Sequence, residues 1–282
     1  MKFDLHCHST ASDGKLGPEV LISRAQAAGV DLFAITDHDT FAGCAPLLSL
    51  PQPLQLIAGI ELSSLWSGCN IHVVGLDFDL THPAMQEAVA FQRRVREERA
   101  QLISERLAKK GMPNTLQGAL AYCPDIGQVG RPHFARYLVE QGYVESMAQA
   151  FERWLGAGKI GDVKNGWPAL AQAIGWIREA GGVAVLAHPL SYKITFSKLR
   201  RLLADFAEAG GQAVEVVGQQ ADAEQKQALL QIVLQHGLAG SGGSDFHDPD
   251  WRWAQIGEIE PLPQNITPVW QLFTRSQVAG AE

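Results

Sequence analysis

The sequence predicts an α/β protein, with its strands in a parallel sheet or barrel and a helical segment inserted between two β-α units. Three observations carry this. Short apolar runs alternate with helical patterns over most of the chain, the rhythm of β-α units around a parallel sheet. The alternation stops near residue 83 and resumes near residue 167. The length of 282 residues, 46% of them hydrophobic, allows about two domains at roughly 150 residues each, or a single α/β barrel.

Residues 2–5 read as a strand. Residues 18–28 read as a helix, with Pro18 in its first turn and Gly29 just past its end. Residues 32–36 and 54–60 are strands, and 62–66 with 71–76 form a hairpin around Ser67-Gly68-Cys69-Asn70. Residues 84–110 make one long helical pattern stopped by Gly111, followed by two or three shorter helices up to about Leu155. The rhythm returns as helix 168–180, strand 183–187, helix 198–209, strand 213–217, helix 223–236 and a short strand at 238–240. The expected organisation is therefore a body of residues 1–82 and 167–282 with a helical insert at 83–166.

Charge follows the same division. The chain carries 23 Lys+Arg against 30 Asp+Glu, a net of −7. The insert carries 12 against 9, a net of +3, which leaves the body 11 against 21, a net of −10. An acidic body excludes a general duplex-DNA binder. The basic residues Arg93, Arg94, Arg96, Arg99, Arg106, Lys109 and Lys110 are either the solvated face of a long helix or, in part, a grip for an anion. No apolar run approaches the roughly 18 residues of a membrane span. The first residues lack the apolar stretch of a signal peptide. Four scattered cysteines without a CxxC pair argue for a reduced, cytoplasmic protein without a disulfide framework.

Histidines and acids gather where predicted strands end. His6 and His8 follow the first strand, and residues two apart in an extended chain point to one side. Asp37 and His38 follow the second strand, Glu61 the third, and His188 the strand 183–187. Asp245 and His247 follow the glycine-rich segment 240–244, which lacks the lysine of a P-loop and reads as close backbone approach. In barrels these ends form the active face. A single histidine in such a place is more often structural; two paired sets with further histidines and a glutamate are a metal centre. Imidazole and carboxylate without thiolate suit Zn, Mn or Fe, and the ligand number implies more than one ion, the arrangement that serves phosphoryl transfer.

His6-Cys7-His8, Thr36-Asp37-His38-Asp39, Gly59-Ile60-Glu61, Ala187-His188-Pro189 and Gly243-Ser244-Asp245-Phe246-His247 resemble the ordered motifs of the PHP (polymerase and histidinol phosphatase) family. The resemblance implies a distorted (β/α)7 barrel with a helical insertion domain. It implies a trinuclear centre with His6, His8, Glu61 and Asp245 on one ion, Glu61, His72 and His188 on a second, and Asp13, His38 and His247 on the third. Spacing alone does not select Asp13 or His72. The implied cofactor is three Mn2+ ions, with Zn2+ or Fe2+ as alternatives, and the implied nucleophile is a metal-bound hydroxide. The insert, with Arg96, Arg99 and Gly130-Arg131-Pro132-His133, resembles that of the subgroup hydrolysing the 3′-phosphate of nucleoside 3′,5′-bisphosphates and trimming short 5′-phosphorylated RNA.

In that reading Arg99, Arg131, His133, Asp13 and His38 contact substrate, and His133 is the candidate general acid. Lys164 and Asn165 are further candidates to reach it. Phe134, Trp154 and Trp167 read as core more readily than as base-stacking residues. No obligate protein partner and no membrane association are expected. The rival functions are a histidinol-phosphate-type phosphatase, against which the arginine-bearing insert speaks, a DNA exonuclease, for which no polymerase segment is present, and an inactive metal-stabilised interaction module.

Overall fold

The computed structural model describes residues 1–164, 166–218 and 220–278; Asn165 lies outside them. They divide into two compact units, Met1–Ala88 with Pro168–Glu282, and Val89–Trp167.

The first unit opens with β1 (Phe3–Asp4), α1 (Pro18–Ala27), β2 (Leu32–Ala34), the short α2 (Ala45–Leu48) and β3 (Gln55–Ile57). Strands β1, β2 and β3 form a parallel sheet in that order. The chain breaks at Ala58 and enters β4 (Gly59–Trp66), which turns into β5 (Cys69–Leu76). The turn residues Ser67 and Gly68 have φ of 46° and 74°, the double positive φ that matches the twist of a tight hairpin.

The long helix α3 (Pro83–Ala108) begins in this unit and continues into the second. There it is joined by α4 (Thr115–Leu120), α5 (Arg131–Glu140) and α6 (Met147–Ala150). Leu107, Phe134, Leu138, Ala150 and Leu155 make a core of the second unit's own. The first unit resumes with α7 (Leu170–Glu179), β6 (Val183–Leu186), α8 (Phe196–Glu208), β7 (Ala213–Val217), α9 (Ala223–Gln235) and β8 (Ala239–Gly242).

Helix limits obey local chemistry. Pro18 stands at the start of α1, where its missing N–H costs nothing. Thr195 caps α8 by accepting from the Lys198 amide at 3.3 Å, and Asp222 caps α9 by accepting from Gln225 at 2.8 Å. Leu199, Leu202, Leu203 and Phe206 give α8 its buried stripe at helical spacing.

The second sheet runs β4-β5-β6-β7-β8, antiparallel at β4-β5 and β5-β6 and parallel thereafter. The α/β class thus holds, but among the described residues the strands make two ladders and no closed barrel. Backbone bonds join the ladders at both sides: Asp39 to Glu61 at 2.8 Å and Glu61 to Asp37 at 3.2 Å on one, His8 to Phe246 and Asp245 to His6, both at 2.8 Å, on the other. One expectation is corrected here. Glu61 is not at a strand end but inside β4, where it pairs with Val74 of β5 in the antiparallel ladder. An apolar run does not reveal where a strand leaves one sheet for another.

Candidate metal centre

Every metal ligand expected from the sequence lies in the first unit. Leu5 and Cys7 are buried in the apolar interior, which turns the alternating His6 and His8 to the opposite side of the chain leaving β1. Their Nε2 atoms are 3.1 Å apart. Beyond β2, Asp37 accepts from the Ser9 amide, the Ser9 hydroxyl and the Ser12 hydroxyl, all at 2.7 Å, and so fixes the loop that carries Asp13. Asp39 accepts from the Ser63 amide at 2.6 Å and its hydroxyl at 2.8 Å, which ties the His38 segment to β4. His72 stands on β5, cross-strand from Ser63.

Glu61 is the hub. Its Oε1 lies 3.4 Å from His6 Nε2, 2.9 Å from His72 Nδ1 and 3.0 Å from His188 Nε2. Its Oε2 lies 3.4 Å from His8 Nε2 and 2.7 Å from His38 Nδ1. Five imidazoles thus surround one carboxylate that is fully shielded from water. Asp245 stands 3.5 Å from His6, 3.2 Å from His8 and 3.6 Å from His247. Asp13 stands 3.4 Å from His247, 3.9 Å from His38 and 4.0 Å from His8.

The donor atoms fall into three groups able to hold an ion: His8, Asp13, His38 and His247; His6, His8 and Glu61; and His38, Glu61 and His72. Two donors each about 2.1 Å from one ion stand roughly 3.0–3.4 Å from each other, a spacing met by His6 with His8 at 3.1 Å, by His6 and His8 with Glu61 at 3.4 Å and by Asp13 with His247 at 3.4 Å. His8 Nδ1 and His188 Nδ1 are buried without a hydrogen-bond partner. The facing Nε2 atoms of His6 and His8 are costly in a dry site without a cation between them and fit lone pairs that serve one.

Burial and neighbouring charge set the protonation of the ring. Burial, then the neighbouring His247 and His38, push His8 down to about 3. Burial alone would raise Asp13, but His38 and His247 hold it well below the usual carboxylate range. Burial opposes Glu61 in the same way and is overruled by His38, His72 and His6. Burial would lower His247, but Asp13 and Asp245 raise it to about 10. The carboxylates are anionic and His8 is neutral, the states in which they ligate metals, whereas His247 would have to give up its proton to a cation.

The sequence reading missed the layer behind this ring. Glu215 on β7 accepts from His6 Nδ1 at 2.6 Å and from the His188 amide at 2.6 Å. A carboxylate behind a ligating imidazole fixes its tautomer, and the signal was present as one acid in the apolar strand Ala213–Val217. Tyr192 donates to Ala187 O and accepts from the His72 amide, both at 2.9 Å. Asp4 holds the Ser244 and Gly257 amides at 2.8 Å. A Cβ on Gly243 would stand 2.4 Å from His6 N, so only glycine lets this segment run beside β1. His188 and Asp245 adopt positive φ, 30° and 51°, a strain of about 1–3 kcal/mol each that the surrounding fold must sustain.

The second unit holds the arginines. The Arg99 guanidinium lies over the Trp167 ring at 4.3 Å and that of Arg96 at 5.7 Å, and both are nearly buried. Arg131 donates to Leu155 O at 3.1 Å, lies 3.8 Å from Asp162 and stands over Phe151 at 6.0 Å. His133 is buried in the first turn of α5, where its Nδ1 accepts from the Gly130 amide at 2.9 Å, which leaves the neutral ring's proton on Nε2. Lys164 lies 3.5 Å from Asp162. Phe134 is core.

A centre of imidazoles and carboxylates at the ends and edges of β-strands, on an α/β fold, defines a metal-site hydrolase architecture. The chain belongs to the PHP domain family, whose pattern it matches over residues 4–179. It is 45% identical over 279 residues, 98% of this chain and 94% of the relative, to the 5′-3′ exoribonuclease Rnm of Escherichia coli strain K12. It is 37% identical over 270 residues, 95% of each, to the 3′,5′-nucleoside bisphosphate phosphatase of Chromobacterium violaceum. A solved amidohydrolase from Chromobacterium violaceum with bound sulfate and no metal has the same fold, with a TM-score of 0.88, 37% identity and coverage of 96% of this chain and 95% of that one.

Proposed function

We propose that this protein is a metal-dependent phosphatase that removes the 3′-phosphate of nucleoside 3′,5′-bisphosphates, and that it also degrades short 5′-phosphorylated RNA from the 5′ end. The observation that carries the reading is the ring of five imidazoles around Glu61. Its donor chemistry suits Mn2+, Zn2+ or Fe2+ alike, and the family resemblance favours Mn2+. We assign His6, His8, Glu61 and Asp245 to one ion, Glu61, His72 and His188 to a second, and Asp13, His38 and His247 to a third. Bound there, the ions supply charge neutralisation at phosphoryl oxygens and an acidified water. We read the two bridged sheets as the staves of a distorted (β/α)7 barrel, residues 1–82 and 167–282, and the helical residues 83–166 as a substrate-binding cap.

The remaining roles belong to the chain's own groups. Glu215 orients His6, and the bonded loop around Asp37 holds Asp13 in reach of His38 and His247. Asp13 and His38 also stand at the substrate side of the ring in this reading. Arg99 and Arg131 present planar forks for the phosphate that is not hydrolysed. The nearly dry setting of Arg99 strengthens such contacts. His133, with its proton on Nε2, hydrogen-bonds the leaving oxygen and is the candidate acid. Cys7 Sγ donates to Ala34 O at 3.4 Å and Cys44 Sγ to Gly59 O at 3.3 Å; thiols used as thiols support a place in the reducing cytoplasm.

The test is phosphate release from adenosine 3′,5′-bisphosphate with and without added Mn2+, beside AMP and histidinol phosphate. Metal-dependent release from the bisphosphate, with little from the other two, is the expected result. Turnover of histidinol phosphate in preference, or no hydrolysis of any phosphoester, overturns the reading.

A further inference from the structure

We infer that Trp251 and Trp253 form a stacking platform for the base of the bound nucleotide, beside the metal centre and within the same unit. The inference deepens the function proposed above and rests on it for the ligand being a nucleotide.

The two indoles are themselves stacked, with centroids 5.6 Å apart and planes 16° apart. They are 37% and 62% exposed. The other large apolar side chains left in water among the described residues, Met1, Val20 and Leu50, are aliphatic and separate in sequence. A lone exposed aromatic needs no explanation; a coplanar pair at the rim of a polar site does. Trp251 reaches the centre directly, with its ring 5.7 Å from that of His247. Both indoles line one cavity of about 240 Å³ whose other walls include His188, Glu215, Asp245 and Ser244. Its volume is below the roughly 300–1,000 Å³ of whole small-molecule pockets, so it has room for part of a nucleotide, such as the base.

The loop is held in place. Trp251 N donates to Asp248 O at 3.0 Å, and Gln255 Nε2 donates to Trp251 O at 2.6 Å. Arg252, between the two tryptophans in sequence, is exposed and adds positive charge to the segment. A π-face with positive charge nearby suits a nucleotide, whose base offers a face and whose phosphate a negative charge. Of the acids beside the platform, Asp248 and Asp250 share Lys15 at 2.6 and 3.5 Å, which offsets one of their two negative charges. If Trp251 served only to pack against His247, Trp253 would have no reason to extend the stack outward.

The experiment compares binding of AMP and of ribose 5-phosphate, which differ only in the base, to the metal-loaded protein and to Trp253→Ala and Trp253→Phe. AMP is expected to bind the parent at least about fivefold more tightly and to quench indole fluorescence. Trp253→Ala is expected to bring the two dissociation constants to within about twofold, and Trp253→Phe to keep most of the preference, since phenyl still stacks. Equal binding of the two ligands by the parent overturns the inference, as does an unchanged preference in Trp253→Ala. Failure of phosphate release from the bisphosphate would count against the proposed function alone; the ratio of the two binding constants decides the platform independently.

Discussion

The candidate metal centre of the first unit and the arginine cluster of the second are both concentrations of nearly buried charge, and they are built in opposite ways. Around Glu61 the groups come from strand ends and edges as far apart as His6 and His188, held by backbone bonds between ladders and by outer acids such as Glu215 and Asp37. Around Trp167, Arg96 and Arg99 are neighbours on one face of α3, three residues apart. A multivalent cation requires several donors at fixed distances, which only rigid, distant elements provide. An anion is met by guanidinium forks that one helix can present. The first region should therefore fail as a unit, and the second residue by residue.

The largest expected effect tests that cooperativity. Glu61→Gln keeps the shape of the hub but removes its charge, and it should lower metal content by more than one ion and phosphate release by on the order of 10³-fold. Elemental analysis of the folded variant checks it, and an unchanged stoichiometry would break the picture of a shared carboxylate. Next comes Glu215→Gln, one layer out, where metal affinity should fall about 10–100-fold with the fold intact by circular dichroism; a titration with Mn2+ measures this. A smaller change is expected in the second region. Arg99→Ala or Arg131→Ala should lower the preference for bisphosphate over monophosphate by about tenfold, the lower range for a hydrogen bond to a charged group, with metal content unchanged. A parent-like ratio in either variant removes that arginine from the clamp. The smallest effect belongs to Ser12→Ala, which deletes one of three bonds to Asp37 and should cost about 1 kcal/mol of stability, read from the denaturant midpoint.

Much of this was legible before folding. The helices α1, α3, α7, α8 and α9 stand within a few residues of their expected limits, because proline starts, capping groups and apolar periods are local signals. His6, His8, His38, His188 and His247 were marked by their place after apolar runs. Other features were not marked. Glu61 was assigned to a strand end, since nothing in its neighbours announces that β3 and β4 belong to different sheets. Glu215, Tyr192 and Asp4 read as ordinary residues until the structure placed them behind the ligands. Trp251 and Trp253 lie in a segment without periodicity, where nothing in the sequence indicates a shared cavity with His188.

The chain alone determined its alternating elements, its acidic body with a basic helical stretch, and the imidazole and carboxylate inventory. These are written in the identity and near-neighbour spacing of residues, and short-range forces read them directly. Tertiary structure decided which carboxylate stands at the centre, which acids support the imidazoles from behind, and that two indoles open onto the same hollow. Those facts depend on distances between residues far apart in sequence, and such distances exist only once burial of the apolar faces has brought the strands together.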